Sequence, residues 1–322
     1  MHRRVARLVE RVSCNRVIDW LLEPTEPSIR YLTTRDLLES PPGDRTLSKL
    51  QSAIPRKGCA ARILSLQKEK TWWATKKTCY TPKFRSTIWH LQVLADLGLT
   101  KKDERIENAA EFWFDLHLAK DGGYSGNVVS KALHRSKGHL CMTGNMARSL
   151  IRFGYLKDER VQSAINWLVN EQLPDGGWDC FGRPNGTIDG WEAMSALAEI
   201  PVNNRSPSVR TAIERGAEFF LKRRLIHEGR PSRTWVTLHY PWHYIYDYLV
   251  GLDFMTRLGY ARDNRIQEAF AMLISARKPN GRWNLNGNNR YPYLEKAGQP
   301  SKMITFLALR ALKQSGRDFN VQ

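Results

Sequence analysis

The sequence predicts an all-α protein built from repeated helical hairpins, and three observations support this. Amphipathic helical segments end repeatedly in a glycine turn that is followed by an aromatic residue. A second kind of helix ends at a glycine and is followed by an aspartate able to start the next helix. Alternating apolar and polar residues, which mark a half-buried strand, do not recur along the 322 residues.

The first repeated unit is clearest from Ala164 to Cys180, "AINWLVNEQLPDGGWDC". It joins an amphipathic helix, a short polar segment, a glycine turn and Trp178. Other copies of differing strength are "AAEFWFDLHLAKDGGYSG" at 109–126, "AFAMLISARKPNGRWNLNG" at 269–287, "GAEFFLKRRLIHEGRPSRTWV" at 216–236 and "CAARILSLQKEKTWWA" at 59–74. Self-similarity of this kind indicates one structural unit that is used several times.

The second repeated unit is a helix end followed by a helix start. Its three copies are "LADLGLTKKDERI", "LIRFGYLKDERV" and "MTRLGYARDNRI", with Gly98, Gly154 and Gly259 followed by Asp103, Asp158 and Asp263. Each glycine is expected to take the left-handed conformation that ends a helix. Each aspartate is expected to accept hydrogen bonds from the free amides of the next helix.

The two units alternate, so the chain is predicted to form a single domain of about six hairpins of roughly fifty residues each. The approximate repeats are 12–45, 46–100, 101–156, 157–203, 204–261 and 262–316. An array of helical hairpins forms either an open solenoid or a closed ring. The repeat period by itself leaves both arrangements open.

The composition is that of a globular protein, with 42% hydrophobic and 25% charged residues. No run of about 18 apolar residues occurs, so no transmembrane helix is expected. The opening stretch, "MHRRVARLVERVSCNRVIDWLLE", has no continuous apolar core and is predicted to be a first helix rather than a signal peptide. The five cysteines are scattered, which favours a reducing cytoplasm or a metal site over a disulfide scaffold; they are Cys14, Cys59, Cys79, Cys141 and Cys180.

The net charge of +18 favours an anionic partner: a nucleic acid, an acidic membrane surface or a diphosphate. The positive residues are spread along the chain, and the densest short run is "KRR" at Lys222–Arg224. A solvated basic surface and a functional patch both remain open. No nucleic-acid-binding motif accompanies the charge, so a nucleic-acid partner is not expected, while peripheral contact with a membrane is left open.

The segment "AINWLVNEQLPDGGW" resembles the QW motif of the squalene and oxidosqualene cyclases, a superfamily that also includes the protein prenyltransferase β subunits. The resemblance covers most of the chain. It implies an α/α toroid, in which six inner and six outer helices surround a central cavity. It also implies that Gln172 caps its helix and stacks on Trp178, outside the cavity, where both residues serve stability.

Class II cyclases of this superfamily protonate an alkene with an Asp-x-Asp-Asp motif. The acid of such a motif depends on a neighbouring carboxyl and on hydrogen bonding. This sequence has no such motif, and "GTIDGW" offers only Asp189. Cyclisation that begins with proton transfer from this motif is therefore not expected.

The protein prenyltransferases use a zinc ion, held by Asp-x-Cys on one inner helix and a histidine on the next. The resemblance matches Asp189 to the aspartate and His243 to the histidine, but Trp191 stands where the cysteine is expected. A zinc site with three protein ligands is a strong indication when complete and an ambiguous one with a ligand missing.

The same resemblance implies a diphosphate site. His139 opens a segment similar to the one that carries the diphosphate-binding histidine, and Arg183 lies near the position of the family's arginine. The family's lysine is missing, because Gly186 occupies its place. His139 and Arg183, together with the helix starts, are therefore the predicted anion-binding groups.

Another set of zinc ligands is available. In a toroid, Cys141 at the start of one inner helix and Cys180 before the next would lie at the same rim of the cavity. Cys141, Cys180, Asp189 and His243 would then form a tetrahedral set, with His239 or His139 as substitutes. Thiolate, imidazole and carboxylate ligands suit zinc. The alternative is that Cys141 is a small core residue and Cys180 a loop thiol.

The remaining predicted roles belong to a carboxylate and to aromatic rings. Asp189, His243 and Glu192 are candidates for acid–base work. Trp191 and Tyr240 are candidate substrate contacts, since the resemblance implies that aromatic faces line the cavity and stabilise cationic carbon. Packing between helices is the competing explanation for the aromatic residues, and capping or a surface role is the competing one for Glu192.

Two functions follow from these observations. The first is an isoprenoid-processing enzyme, a transferase or lyase that binds a prenyl diphosphate in a central cavity, with zinc as the candidate cofactor. The second is a noncatalytic toroid that binds a lipid or an anionic partner through a basic surface. The missing Asp-x-Asp-Asp and Asp-x-Cys motifs favour the second. Bound metal and saturable binding of a prenyl diphosphate would distinguish the two.

Overall fold

The computed structural model describes residues 16–129, 137–229, 232–287 and 295–317. The chain divides into two compact units. The first consists of Met1–Ala61, Ser232–Pro241 and Asp247–Gln322, and the second of Arg62–Pro231 and Trp242–Tyr246. Most of the predicted first helix lies outside the described residues, whose first helical segment, α1, covers 16–21.

In the first unit, α2 (Pro27–Leu32), α11 (Tyr248–Arg257) and α13 (Lys302–Gln314) form a layer of largely buried helices. A π-helical turn, Thr33–Leu37, continues α2, and α13 packs against α2, this turn and α11. The second layer contains α3 (Arg45–Ala53), which packs on α2, and α12 (Gln267–Ser275), which packs on α11. Helix α4 (Gly58–Ser65) leads from the first unit into the second.

The second unit repeats this two-layer arrangement. Its buried layer is α5 (Thr87–Asp96), α7 (Leu140–Phe153) and α9 (Trp191–Ala198), with α7 packed against both neighbours. Its outer layer is α6 (Glu104–His117), α8 (Glu159–Asn170) and α10 (Pro207–Lys222). The outer helices bury one stripe and expose the other, whereas every residue of α9 is buried. The hairpin therefore pairs a buried helix with an amphipathic one.

The glycine–aromatic turns fasten each amphipathic helix to the turn that follows it. Three indole nitrogens donate to the carbonyl ten residues earlier: Trp73 to Ile63 at 2.8 Å, Trp178 to Leu168 at 2.7 Å and Trp283 to Leu273 at 2.7 Å. All three rings are buried, so the bonds satisfy donors that water cannot reach. The Gln172 side-chain amide donates to the carbonyls of Gly176 and Ala212, which ties the turn to α10.

The predicted helix ends and starts are confirmed. The φ angles of Gly98, Gly154 and Gly259 are +86°, +97° and +93°. The side chains of Asp103, Asp158 and Asp263 each accept from the backbone N–H two residues later. In each case that residue is an arginine whose guanidinium binds the same carboxylate; the three are Arg105, Arg160 and Arg265. In each Asp-x-Arg unit the aspartate thus caps the helix, and the arginine neutralises the charge of that aspartate.

The predicted all-α class is confirmed, since the described ranges contain helices and isolated bridges but no strand. The two-layer pairing within each unit is the one that the predicted α/α toroid requires. The single domain of six repeats and the central cavity stay predictions. Along the described part of the chain, no helix combines the length and the apolar character needed to cross a membrane.

Candidate functional site

The three buried helices of the second unit run parallel, so their first turns lie at one end of the layer. At that end Gly144 of α7 packs against Glu192 of α9, and a Cβ at Gly144 would come within 2.6 Å of the Glu192 carbonyl carbon. At the other end, Arg152 of α7 donates to Asp96 of α5 and to Glu199 of α9. The glycine lets α7 and α9 approach closely and brings Glu192 to the start of α7.

Two cysteines and a histidine meet at the start of α7. The ligand atoms of His139, Cys141 and Cys180 all lie within 4.8 Å of one another. The Cys141 sulfur is 3.2 Å from His139 Nδ1. The Cys180 sulfur interacts with the Cys141 side chain and accepts from the Cys141 backbone N–H. The predicted proximity of Cys141 and Cys180 is therefore found, and His139, named only as a substitute ligand, is the third member.

The pKa of the Cys180 thiol is raised, first by its hydrogen bond with the Cys141 side chain and next by burial. Two sulfurs in contact resist losing both protons. The backbone N–H at the start of α7 acts in the opposite direction and lowers the pKa. A bound divalent cation would instead lower the pKa of the thiol, because a coordinated thiol is deprotonated.

Glu192 is the most unusual group at this end of the layer. Its side chain is fully buried, and Oε2 has no hydrogen-bond partner among the described residues. Burial raises its pKa well above the usual value, and the neighbouring Cys180 raises it further. The environment thus favours the neutral carboxylic acid, which is both a proton donor and an unsatisfied acceptor.

The donor set fits zinc. Two sulfurs and an imidazole are among the ligands that zinc prefers, and three protein ligands leave one position for a substrate or water. The unpartnered oxygen of Glu192 beside Cys180 is the kind of buried polar atom that a ligand or a metal-bound group would satisfy. Asp189 and His243, the other predicted ligands, do not belong to this group of donors.

Asp189 and Arg183 lie among carboxylates. Burial raises the pKa of Asp189, and so does Glu228, while Arg183 lowers it. Glu228 accepts from the Ile188 N–H at 2.8 Å and so caps the 3-10 turn Ile188–Gly190 that leads into α9. Arg183 is 56% exposed at its side chain, and its Nη1 is 3.8 Å from Asp179. The positive charge of Arg183 is therefore shared with acidic neighbours.

His243 is fixed in an aromatic environment. Its Nδ1 is 3.0 Å from Gln92 Oε1, and its ring meets the edge of Trp89 at 5.0 Å. Burial, then the charges of His90 and Arg148, lower its pKa to about 3. Its backbone has φ +48°, a left-handed conformation that costs free energy in a non-glycine residue. The imidazole is neutral at pH 7, so His243 is suited to accept rather than to carry charge.

The two predicted aromatic contacts are both buried. Trp191 opens α9, and its ring centroid is 6.5 Å from that of Tyr246. Tyr240 belongs to the first unit. The roles of Trp191 and Tyr240 as substrate contacts, like the catalytic roles of Asp189 and His243, stay predictions.

Sequence reasoning missed the loop that precedes α5. Tyr80 in this loop interacts electrostatically with Cys141, and Lys83 lies between Tyr80 and Tyr244. The only sequence signal is "YTPKF", a lysine close to two aromatic residues, and it has no counterpart in the repeats. The loop therefore carried no periodicity that could indicate its importance.

A scan against models of protein families finds no match. A search among curated proteins likewise finds no matching sequence. Among solved structures, the chain is similar to the type II terpene cyclase MstE from Scytonema, in its apo form and as a variant bound to geranylgeranyl dihydroxybenzoate. The identities are 16% and 15%, both TM-scores are 0.48, and the matches cover 95% and 97% of this chain and 98% and 99% of those chains.

A protein from Actinoplanes is similar at 16% identity and a TM-score of 0.49, over 95% of this chain and 99% of that one. Similarity of this extent assigns neither an activity nor a substrate. Those have to come from the side chains described above.

Proposed function

We propose that this chain is an isoprenoid-processing enzyme that binds a prenyl diphosphate beside a zinc ion held by His139, Cys141 and Cys180. The observation that carries the proposal is the meeting of these three donors, within 4.8 Å, at the start of α7. Residues from two different repeats supply them, and a neutral carboxylic acid lies next to one of the sulfurs. When bound there, zinc supplies positive charge opposite a leaving diphosphate or a nucleophile.

The chain's own residues have distinct tasks in this proposal. His139 and the two sulfurs bind the metal, and the first-turn amide of Cys141 holds the Cys180 sulfur in place. Glu192, protonated because it is buried, donates a proton to an oxygen that gains charge. The close approach at Gly144 positions this acid.

The aromatic groups support an isoprenoid as the substrate class. The rings of Tyr80, Phe84 and Tyr244 lie between 4.9 and 5.8 Å from the buried Trp89, and Tyr80 interacts electrostatically with Cys141. An alkenyl chain packs favourably on such faces, and a carbon that becomes cationic is stabilised by them. His243, neutral and against Trp89, adds a polar imidazole without adding charge.

The alternative of a noncatalytic scaffold is supported by the net charge of +18 and by the absence of an Asp-x-Asp-Asp motif. A scaffold has no use for a buried carboxylic acid with an unsatisfied oxygen beside the Cys180 thiol, because such a group costs stability. This observation favours the enzyme.

The test is the metal content of the purified protein, prepared without a histidine tag. The parent should carry zinc at near-stoichiometric level, and Cys180→Ser should lose most of it. Cys59→Ser, which changes a buried cysteine in the first unit, is the matched control and should retain the metal. Calorimetry with geranylgeranyl diphosphate should then give saturable binding that weakens in His139→Ala.

A parent without zinc, or with zinc that survives in Cys180→Ser, contradicts the metal site. A parent that fails to bind geranylgeranyl diphosphate, and instead binds polyanions with a steep dependence on salt, supports the scaffold.

A further inference from the structure

Lys83 lies between two tyrosine rings at the edge of the candidate site. Its Nζ is 5.7 Å from the ring centroid of Tyr80 and 5.6 Å from that of Tyr244. The pKa of Lys83 is raised by its interactions with Tyr80 first and with Tyr244 next. The ammonium group itself is exposed, so this arrangement leaves its remaining N–H groups available to a ligand.

One buried tryptophan fixes both tyrosines. Trp89 donates from Nε1 to the Tyr80 carbonyl at 2.8 Å, and its ring is 5.2 Å from that of Tyr80 and 5.8 Å from that of Tyr244. Phe84, with φ +62°, completes the cluster at 6.1 Å from Tyr244. A strained residue held by tertiary contacts next to an exposed cation is typical of a preorganised binding site.

The charge around Lys83 differs from that around Arg183. No carboxylate within the described ranges forms an ion pair with Lys83, and only tyrosines contribute to its raised pKa. Arg183 faces Asp179 at 3.8 Å and interacts with Asp189. An anion that approaches Lys83 meets one uncompensated positive charge, whereas at Arg183 it meets two carboxylates as well.

The cluster is connected to the metal-binding donors. Tyr80 interacts electrostatically with Cys141, and its ring centroid is 5.7 Å from Lys83 Nζ, so Tyr80 is near both Lys83 and Cys141. An ammonium and two phenolic hydroxyls supply hydrogen-bond donors in number and type for the oxygens of a phosphate group.

We infer that Tyr80, Lys83 and Tyr244 form an anion subsite that takes the terminal phosphate of a diphosphate substrate. The inference rests on the proposed function for the identity of that substrate. It replaces Arg183 by Lys83 as the principal cation for the anion, and it assigns the two tyrosines to orienting the phosphate.

The test uses two probes, inorganic pyrophosphate and geranylgeranyl diphosphate, titrated calorimetrically into the full chain with and without zinc. Lys83→Gln should raise the Kd for both probes by about tenfold or more, the loss of one charge-assisted contact. Lys83→Arg should recover most of the affinity. Lys77→Gln removes an exposed lysine from the same loop and is the matched control, expected to match the parent. Arg183→Gln should weaken binding less than Lys83→Gln does.

The outcomes separate the inference from the proposed function. Geranylgeranyl diphosphate binding that is equal in Lys83→Gln and Lys77→Gln, or that depends mainly on Arg183, overturns the subsite and leaves the proposed function standing. Lys83-dependent binding of pyrophosphate that the prenyl chain does not strengthen supports the subsite and overturns the isoprenoid substrate. A parent that binds neither probe overturns both.

Discussion

The two units share one electrostatic design at the far ends of their buried helices. In the second unit, the middle helix α7 supplies arginines to carboxylates on both neighbours. Arg148 donates to Asp96 at 2.6 Å, and Arg152 donates to Glu199 at 2.8 Å. In the first unit, Arg310 of the middle helix α13 donates to Asp36 at 3.0 Å and also binds Asp253.

The units differ at the starts of two of the three buried helices, since α2 also lacks a side-chain cap bond. In the first unit, Asp247 caps α11 by accepting from Leu249 and Val250, both at 3.0 Å, and Ser301 caps α13 by accepting from Ile304. The corresponding residues in the second unit make no side-chain cap bond; they are Ser86, His139 and Gly190. The candidate metal ligands His139, Cys141 and Cys180 and the buried carboxyl of Glu192 lie at that end instead.

This contrast indicates a division of labour. The first unit uses the starts of α11 and α13 for stability, and the second gives up caps at His139 and Gly190 where Cys141, Cys180 and Glu192 collect. Functional sites commonly carry such local costs, which well-packed regions elsewhere offset. Three predictions test the contrast, the first of which should affect both units alike.

The largest effect is expected from removing a bridging arginine. Arg148→Met leaves the buried carboxylates Asp96 and Glu199 to share Arg152 alone. Arg310→Met removes the buried arginine that bridges Asp36 and Asp253. Each change removes one positive charge from a buried network and should lower the free energy of unfolding by about 3 kcal/mol. Urea denaturation followed by tryptophan fluorescence measures the change. Arg45→Met, at an exposed arginine of α3, is the control and should stay within about 0.5 kcal/mol of the parent. A large loss of unfolding free energy for only one of these two variants would show that the two units do not share this arrangement of charges.

For each histidine a smaller effect is expected from acid, and it should begin in the second unit. Burial first lowers the pKa of His117 and His90 to about 4 and that of His243 to about 3, from 6.5, and all three belong to this unit. Between these values the unfolded chain binds more protons than the folded one. The free energy of unfolding should therefore fall as the pH falls from about 6.5, by about 1.4 kcal/mol per pH unit for each histidine.

His117→Asn isolates one of these contributions. His117 Nε2 accepts from the Cys79 N–H at 3.0 Å, and Nδ1 lies 2.9 Å from the Ser125 carbonyl, so the variant loses stability at pH 8. Its stability should nevertheless change with pH less steeply than that of the parent, by about 1.4 kcal/mol per unit between pH 6 and 4.5. His227→Gln changes an exposed histidine of the same unit and should keep the parent slope. Equal slopes in all three proteins would refute the assignment.

Local patterns predicted the fold well because the forces that set them are local. Gly154 and Asp158 were identified from the residue types that helix ends require, and the structure bears them out. The proximity of Cys141 and Cys180 followed from the toroid that the resemblance implies, in which Cys141 starts one inner helix and Cys180 precedes the next. The sequence did not predict the direction of the His243 side chain. Its Nδ1 lies 3.0 Å from Gln92 Oε1 on another helix, and His243 is not one of the three grouped donors. Lys83 was missed because its loop belongs to no repeat.

The smallest effect compares a capped helix start with an uncapped one. Asp247→Ala removes an acceptor that serves Leu249, Val250 and the His239 N–H, and it should cost about 2 kcal/mol. His139→Ala removes no cap bond from α7 and should lower the free energy of unfolding by less than about 0.5 kcal/mol.

Both variants are denatured with a chelator present, because metal binding to the folded state would otherwise add to the stability of the parent. Without chelator, zinc should stabilise the parent and Asp247→Ala but not His139→Ala. The difference in unfolding free energy between the parent and His139→Ala should therefore be larger without chelator than with it, whereas the difference for Asp247→Ala should stay the same. If His139→Ala lowered the free energy of unfolding as much as Asp247→Ala with chelator present, His139 would serve stability. That result would argue against a functional site at the start of α7.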